Sequence, residues 1–305
     1  MNENYDDIFT ASQSAPKVSP SPPAPPPFDP EAYKARKEQE RKETYDKLNS
    51  CTDKLRYDGE LLQTYLDVQA RFNRYSVNNA ILITAQRPDA TRLADYDTWQ
   101  KEGVQVNKGE KAITILEPHG TYERADGTKA TNYAPKKVFD ISQTNAEPKA
   151  ASTVTREERT LLKALITNAP CEFEVSEDMP ENYNALYRPE TKTIVIRSGM
   201  DAPSIFRALS QELAYANMDN GAYRRDECAL SAYYTSYILC KRNGVPTDTF
   251  LFDHTPERYK NMEPRELRQE LNRIRDISNT ISANMNRVLE EHKKEHVPRS
   301  HDEAR

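Results

Sequence analysis

The sequence predicts an α+β chain of two domains with a long helix near its carboxyl-terminal end, and three observations carry that expectation. Short apolar stretches separated by glycines follow a helical run in the first half. A hairpin pattern precedes two helical runs in the second half, and from Glu263 to His296 apolar residues recur at helical spacing. The 305 residues leave room for two domains of roughly 100–150 residues each, plus tails.

Taken in order, Ser12 to Pro30 is rich in Pro, Ser and Ala, a composition that favours extended chain and builds no core. Glu31 to Lys47 is dominated by charge and reads as a solvated helix; residues 1–47 are therefore expected to be a disordered tail and a charged helix. Between Gly59 and Ala85 the residues Leu62, Tyr65, Leu66, Phe72, Tyr75, Ile81 and Leu82 mark two helices, ended by Pro88. Val104–Val106, Lys111–Leu116 and Val138–Ile141 read as strands joined at Gly103, Gly109 and Gly127. A front domain over 48–145 follows. Residues 145–155 have linker composition, and Arg156–Asn168 reads as a helix that opens a back domain over 155–260. There Leu186–Arg188 and Thr193–Arg197 flank a turn, and helices follow at Ala202–Asn217 and Asp226–Arg242. Residues 263–296 form the long amphipathic helix, with Leu267, Leu271, Ile274, Ile281, Met285 and Leu289 on one stripe, and 297–305 a disordered tail.

Composition excludes several classes. No run of about 18 apolar residues occurs, and the start, MNENYDDIFTASQS, has neither a basic nor an apolar leader region, so a cytoplasmic chain without membrane partners is expected. Mean hydropathy is -0.90. The four cysteines form no CxxC pair, which suits reduced thiols and excludes a zinc ribbon. There is no GxxxxGK[ST] loop and no GxSxG elbow. Net charge is -5, and residues 51–145 hold thirteen Lys/Arg and thirteen Asp/Glu, so any surface for nucleic acid must arise from local segregation of charge.

Residues 73–116 read NRYSVNNAILITAQRPDATRLADYDTWQKEGVQVNKGEKAITIL. This stretch, with Tyr75-Ser76-x-x-Asn79, Gln86-Arg87-Pro88, Trp99-Gln100-Lys101, Lys108-Gly109-Glu110-Lys111 and the closing Val138 to Gln143, resembles the amino-terminal domain of the ArdC-like antirestriction proteins of plasmids and conjugative elements. The resemblance covers about residues 55–145 and implies binding of single-stranded DNA with little sequence preference. A groove for an unpaired strand needs cations for phosphates and flat side chains for bases. Arg74, Arg87, Lys101, Lys108 and Lys111 suit the first role, Tyr75 and Trp99 the second, and Asn78, Asn79 and Gln86 polar contacts. The same residues have structural readings. Trp99 suits a core anchor, Asn78 and Asn79 suit helix caps, and the Lys108–Lys111 tetrad suits a hairpin turn.

Residues 184–200 and 205–217 (IFRALSQELAYAN) resemble a zincin-like metallopeptidase domain, over about residues 155–250. In the HExxH helix of such a domain two imidazoles four residues apart hold zinc and the glutamate activates water. Here the pentad is Gln211-Glu212-Leu213-Ala214-Tyr215, so both histidine positions are replaced and Glu212 is a relic. Gln and Tyr are poor zinc ligands at neutral pH, and a third ligand would fall near Asp226 and Glu227. The structural reading of Glu212 is a helix-surface carboxylate paired with Arg207 or Arg225. His292 and His296 spell an inverted HxxEH in a charged terminal helix, which reads as a solvated face.

The resemblance thus implies a non-sequence-specific single-stranded-DNA-binding, antirestriction-like accessory protein of a mobile genetic element. Its back domain is expected to be catalytically inactive, with no metal and no cofactor. Single-stranded DNA and element-encoded transfer or replication proteins are the expected partners. The alternatives are an active metal-dependent peptidase targeted to DNA, and a scaffold that engages partner proteins through helix 263–296.

Overall fold

The computed structural model describes residues 28–146, 157–221 and 224–295, the side chains of 292–295 excepted. The Pro-rich stretch before Phe28, most of the 145–155 linker and the 297–305 tail lie outside the described residues. The chain divides into two units, residues 1–39 and 40–305. Helix α1 (Pro30–Leu55) starts where Asp29 Oδ1 accepts the N–H groups of Glu31 and Ala32 at 2.9 and 3.1 Å. Its residues through Gln39 are exposed, whereas Thr44, Leu48, Cys51, Thr52 and Leu55 at its far end are buried.

Within the second unit, helices α2 (Gly59–Arg71) and α3 (Val77–Gln86) follow, α2 capped by Asp58 and α3 by Ser76. Strand β1 (Leu93–Ala94) precedes the short helix α4 (Tyr96–Lys101). Strands β2 (Ile113–Glu123) and β3 (Lys129–Asp140) then form a long antiparallel hairpin, and the sheet order is β1-β3-β2. Two strand expectations need correction. Val104–Val106 is not a strand, because only Val106 forms an isolated bridge, to Thr144. The hairpin also extends far beyond Leu116: residues 117–129 are all exposed, so no alternation of apolar and polar residues marks them.

Helix α5 (Glu158–Ile166) leads into strands β4 (Glu172–Ser176), β5 (Ala185–Arg188) and β6 (Thr193–Arg197). β6 pairs with β5 antiparallel, as the turn at Pro189–Lys192 demands, and with β4 in parallel. Helices α6 (Ala202–Met218), α7 (Arg225–Asn243), the short α8 (Glu257–Lys260) and the 32-residue α9 (Pro264–Glu295) complete the chain.

Two buried clusters organise these elements. The first joins α1, α2, α3, β2 and β3 to Tyr234, Tyr237 and Ile238 of α7, to Phe252 and Tyr259, and to Leu267, Leu271 and Ile274 of α9. The second joins α5, β5, β6 and α6 to Ala232, Leu239 and Cys240 of α7 and to Ile277, Ile281, Met285, Val288 and Leu289 of α9. The apolar stripe of α9 is therefore buried in the chain's own cores, which removes the ground for a scaffold that offers this stripe to another protein. Gly59, at the start of α2, meets the carbonyl of Phe252 so closely that a Cβ has no room. This contact ties the front helices to the segment after α7.

Candidate functional site

The motif residues of the front half range from sealed to exposed. Trp99 is fully buried at 0% exposure, its Nε1 donates to the carbonyl of Phe139 at 3.0 Å, and the Arg92 guanidinium lies 4.8 Å from its ring centre. It is a core anchor, and the expectation that it stacks a base is corrected: no base reaches a ring sealed on all sides. Tyr75 is half-buried and edge-on to Phe72, with centroids 5.4 Å apart.

Asn79 and Gln86 are likewise corrected from DNA contacts to structural braces. They lie seven residues apart on one face of α3, over the edge of β2 that β3 leaves open. Asn79 Oδ1 accepts from Leu116 N at 2.8 Å while its Nδ2 donates to Leu116 O at 2.9 Å. Gln86 Oε1 accepts from Thr114 N at 3.0 Å while its Nε2 donates to Thr114 O at 2.9 Å. Two side-chain amides thus imitate the ladder of a neighbouring strand, and the exposed edge that would otherwise template association is covered. Ser76 caps the same helix by accepting from Asn79 N at 3.3 Å. Asn78 is half-buried.

The closing motif is also structural. Asp140, 1% exposed, accepts from Thr91 N and Arg92 N at 2.7 and 2.9 Å and from Ser142 N and Oγ at 3.0 and 2.6 Å. Burial alone would raise its carboxyl, but these donors outweigh burial and hold it below the usual range. Gln143 reaches back to Asp140 N and bonds the carbonyl of Lys111 and the carboxylate of Glu110.

The exposed members are cations. Arg74, Lys101, Lys108 and Lys111 are exposed, and among the described residues none has a carboxylate within 4.0 Å. Lys108 and Lys111 flank a turn in which Gly109 takes φ +89°, a conformation that suits glycine. Arg87 is 3.9 Å from both Asp89 and Glu110, too far for a hydrogen bond, and its buried Nε has no acceptor. Sequence reasoning missed the exposed aromatics: Tyr96 at the start of α4, the helix that ends at Lys101, and Tyr122 and Tyr133 on the hairpin, are 56%, 52% and 41% exposed. Nothing local distinguishes an exposed tyrosine from a buried one, so only the fold reveals them.

In the second half, the pentad Gln211–Tyr215 lies in the middle of α6, and Gln211 and Glu212 line a cavity of about 320 Å³ with Tyr183, Arg207, Arg225 and Tyr233. Glu212 is not a surface carboxylate, as its structural reading supposed; it is 3% exposed. Arg225 clasps it through both arms, at 2.8 and 2.5 Å, and the N–H of Tyr187 on β5 donates to it at 2.7 Å. The same guanidinium lies 4.1 Å from the ring centre of Tyr215 and 5.6 Å from that of Tyr183. Tyr215 is 2% exposed, and burial pushes its phenol up, against the opposing pull of Arg225. The fixed cation of Arg225 therefore serves both Glu212 and Tyr215. Among the described residues, no three His, Cys, Asp or Glu side chains converge.

Asp226 and Glu227 point instead to Arg224, at 3.5 and 3.3 Å. His292 and His296 fall where side chains are not described. All four cysteines are free; burial pushes Cys51 and Cys171 up to about 11 and Cys240 up to about 12, so none of these three forms a thiolate near neutral pH. No described helix is long and apolar enough to cross a membrane.

Comparison with known proteins matches part of the chain to one family model. The family model for the N-terminal domain of anti-restriction factor ArdC matches residues 56–164. The uncharacterized protein pXO2-81 of Bacillus anthracis is 26% identical over 304 residues, which cover 82% of this chain and 51% of that protein. The chain thus spans about half the length of the curated relative it matches. Crystal structures of antirestriction ArdC protein from the R388 plasmid, metal-free and Mn(II)-bound, share 18% identity with TM-scores of 0.48 and 0.47. They cover 70% and 72% of this chain and 86% and 97% of their own. Residues 56–164, in which Ser76, Asn79, Gln86, Trp99, Asp140 and Gln143 hold the framework just described, are thus similar to the N-terminal domain of anti-restriction factor ArdC.

Proposed function

We propose that the chain is an antirestriction-type accessory protein that binds single-stranded DNA without sequence preference, and that its second half performs no hydrolysis. The observation that carries the first part is the set of exposed cations without carboxylate partners, Arg74, Lys101, Lys108 and Lys111, within or beside the motifs of the ArdC N-terminal segment. Asn79, Trp99, Asp140 and Gln143 of those motifs are buried, and the cations are left facing solvent. Flexible ammonium and guanidinium groups recognise phosphates irrespective of sequence, and Tyr96, Tyr122 and Tyr133 are available for bases in place of Trp99.

For the second half, the clasp of Arg225 on Glu212 supports an inert centre. A glutamate that activates water must turn an open lone pair toward that water, yet here two guanidinium donors and one backbone N–H take three of the roughly four acceptor sites of a carboxylate that is 3% exposed. Gln211 and Tyr215 stand where the resemblance implies zinc ligands, and the positive charge is supplied by the chain itself.

The test is an anisotropy titration of the full chain against labelled single-stranded and double-stranded oligonucleotides over a salt series. Single-strand preference is expected, with a log-log salt slope of about -0.7 per phosphate contacted. Preference for duplex, or affinity indifferent to salt, would sink the reading. For the second half, metal analysis after purification without chelator is expected to find no bound zinc. Stoichiometric zinc that disappears in Glu212→Gln would restore the peptidase reading.

A further inference from the structure

Away from the motifs, a polar cleft opens where the loop after α2, the end of α7 and one face of α9 meet. It comprises two cavities of about 210 and 420 Å³ that share Asn73, Ser282 and Asn286 in their walls. Arg71 and Arg242 line the first cavity, Arg74 and Arg275 the second. The α9 residues Arg275, Asn279, Ser282 and Asn286 are spaced four, three and four apart, so they form a polar stripe beside the apolar stripe that enters the cores. Asn279 fixes the facing loop by donating to the carbonyl of Asn73 at 3.0 Å.

Arg242 sets the character of this cleft. It donates to Ala70 O at 3.3 Å and to Ser282 Oγ at 3.0 Å, and among the described residues it has no carboxylate within 4.0 Å. Burial lowers its guanidinium to about 10, which still leaves it charged at neutral pH. A second carbonyl at the end of α2, that of Gln69, accepts from Nη2 at 3.5 Å, so the guanidinium caps this helix end while its charge keeps no counterion. Arg225, by contrast, has Glu212. The one carboxylate ion-paired with any of the four cleft arginines, among the described residues, is the exposed Asp276, which bonds Arg275 at 2.6 Å. Arg71 donates to the carbonyls of Pro88 and Ala90, Arg242 to those of Gln69 and Ala70, and Arg275 to Asp276, so among the described residues Arg74 alone keeps its whole fork for a ligand. The remaining guanidinium charge, with Asn amides and a Ser hydroxyl, suits the oxygens of a phosphodiester, and no aromatic side chain lines either cavity to read a base.

We propose that this cleft holds backbone phosphate of a single-stranded nucleic acid, so that α7 and α9 extend the binding path beyond the ArdC N-terminal segment. This inference rests on the single-strand-binding reading above and adds a location to it. The path continues from Arg74, which belongs both to the cleft and to the exposed cations of the front half.

The test uses the full chain and three sets of variants. Arg74→Glu and Asn286→Asp change exposed residues that belong to neither core, Arg242→Gln removes the buried charge, and Lys108→Glu/Lys111→Glu serves as the front-loop comparison. Asn286→Asp and Arg242→Gln are expected to weaken single-strand affinity at least tenfold, and Arg74→Glu further. Arg242→Gln should also reduce the salt slope by about 0.7, the loss of one phosphate contact. Circular dichroism identifies any variant that misfolds, in which case Asn286→Asp alone decides. If Asn286→Asp binds like the parent while Lys108→Glu/Lys111→Glu loses affinity, the cleft is refuted and single-strand binding stands. If the parent chain binds no single strand, both fail. Inorganic phosphate that raises the melting temperature of the parent but not of Arg74→Glu, without oligonucleotide binding, assigns the cleft to a free oxyanion and overturns the nucleic-acid occupant.

Discussion

At the scale of single residues, the clasp between Arg225 and Glu212 shows how a buried carboxylate is made tolerable. Truncating one partner leaves the other charged and dry, which costs about 3–5 kcal/mol, whereas replacing both removes the desolvated charge along with its counterion. Arg225→Met is therefore expected to lower stability by several kcal/mol in urea denaturation, and the double variant Glu212→Gln/Arg225→Met by clearly less. A double variant as unstable as the sum of its singles would show that the two side chains do not act as a pair. Asp95 gives a pH-dependent case. Its carboxylate accepts from Thr98 and faces Lys136 at 3.0 Å, and these contacts lower it to about 2 from its ordinary 3.8. A depressed value in the folded chain means stability that is fully present above roughly pH 4 and lost as pH falls through the folded value. The melting-temperature gap between parent and Asp95→Asn should be constant from pH 5 to pH 7 and close near pH 2. A gap that persists at pH 2 would assign the effect to packing. The kinds of residue at these positions were legible in the sequence, but their roles were not. Arg225 was a named partner of Glu212, yet the burial of the pair depends on β5 lying over α6, and no local pattern encodes that.

At the scale of elements, helix α3 and strand β2 share a device that the sequence displays without disclosing its use. Asn79 and Gln86 read as polar residues on a helix beside cations, and a DNA-facing role follows naturally from that. Their acceptors and donors lie on Thr114 and Leu116, 28 and 37 residues away, and only tertiary structure brings that edge over the helix. Removing either amide leaves a buried backbone N–H and C=O without partners, at about 1–3 kcal/mol for each unsatisfied group. Asn79→Ala should therefore destabilise the chain more than Asn78→Ala, and hydrogen exchange at Leu116 N should accelerate. Unchanged protection at that amide would refute the brace. The helices α2, α3, α5, α6, α7 and α9 lie within a few residues of the sequence expectation, because apolar residues recur at helical spacing in α2, α5 and α9 and run densely in α3, α6 and α7. The outer hairpin was not expected, because both of its faces are exposed and strand periodicity needs one that is not. Strand β4 was missed for a similar reason: Glu172 to Ser176 buries none of its side chains fully.

At the scale of the molecule, composition marks residues 145–155 as a divide, yet side chains from both sides of it meet in one core. Tyr234, Tyr237, Phe252 and Tyr259 stack and tilt against one another at 4.9–5.9 Å beneath α1 and α2. A fragment of residues 51–145 alone would expose the faces that these rings cover. A chain ending at Met262 should lack a cooperative thermal transition, since it loses Leu267, Leu271 and Ile274 from one cluster and Ile277, Ile281 and Met285 from the other. A sharp transition in calorimetry for that truncation would refute the dependence.

Helix α9 spans 32 residues, about 48 Å, and its two halves close different interiors. Synthesis proceeds from the amino terminus, so the first interior can close only once Ile274 has emerged and the second only once Leu289 has. The polypeptide must wait on the ribosome as an open intermediate until residues as late as Leu289 have emerged. A message cut short before that point yields a chain with at least one interior left open.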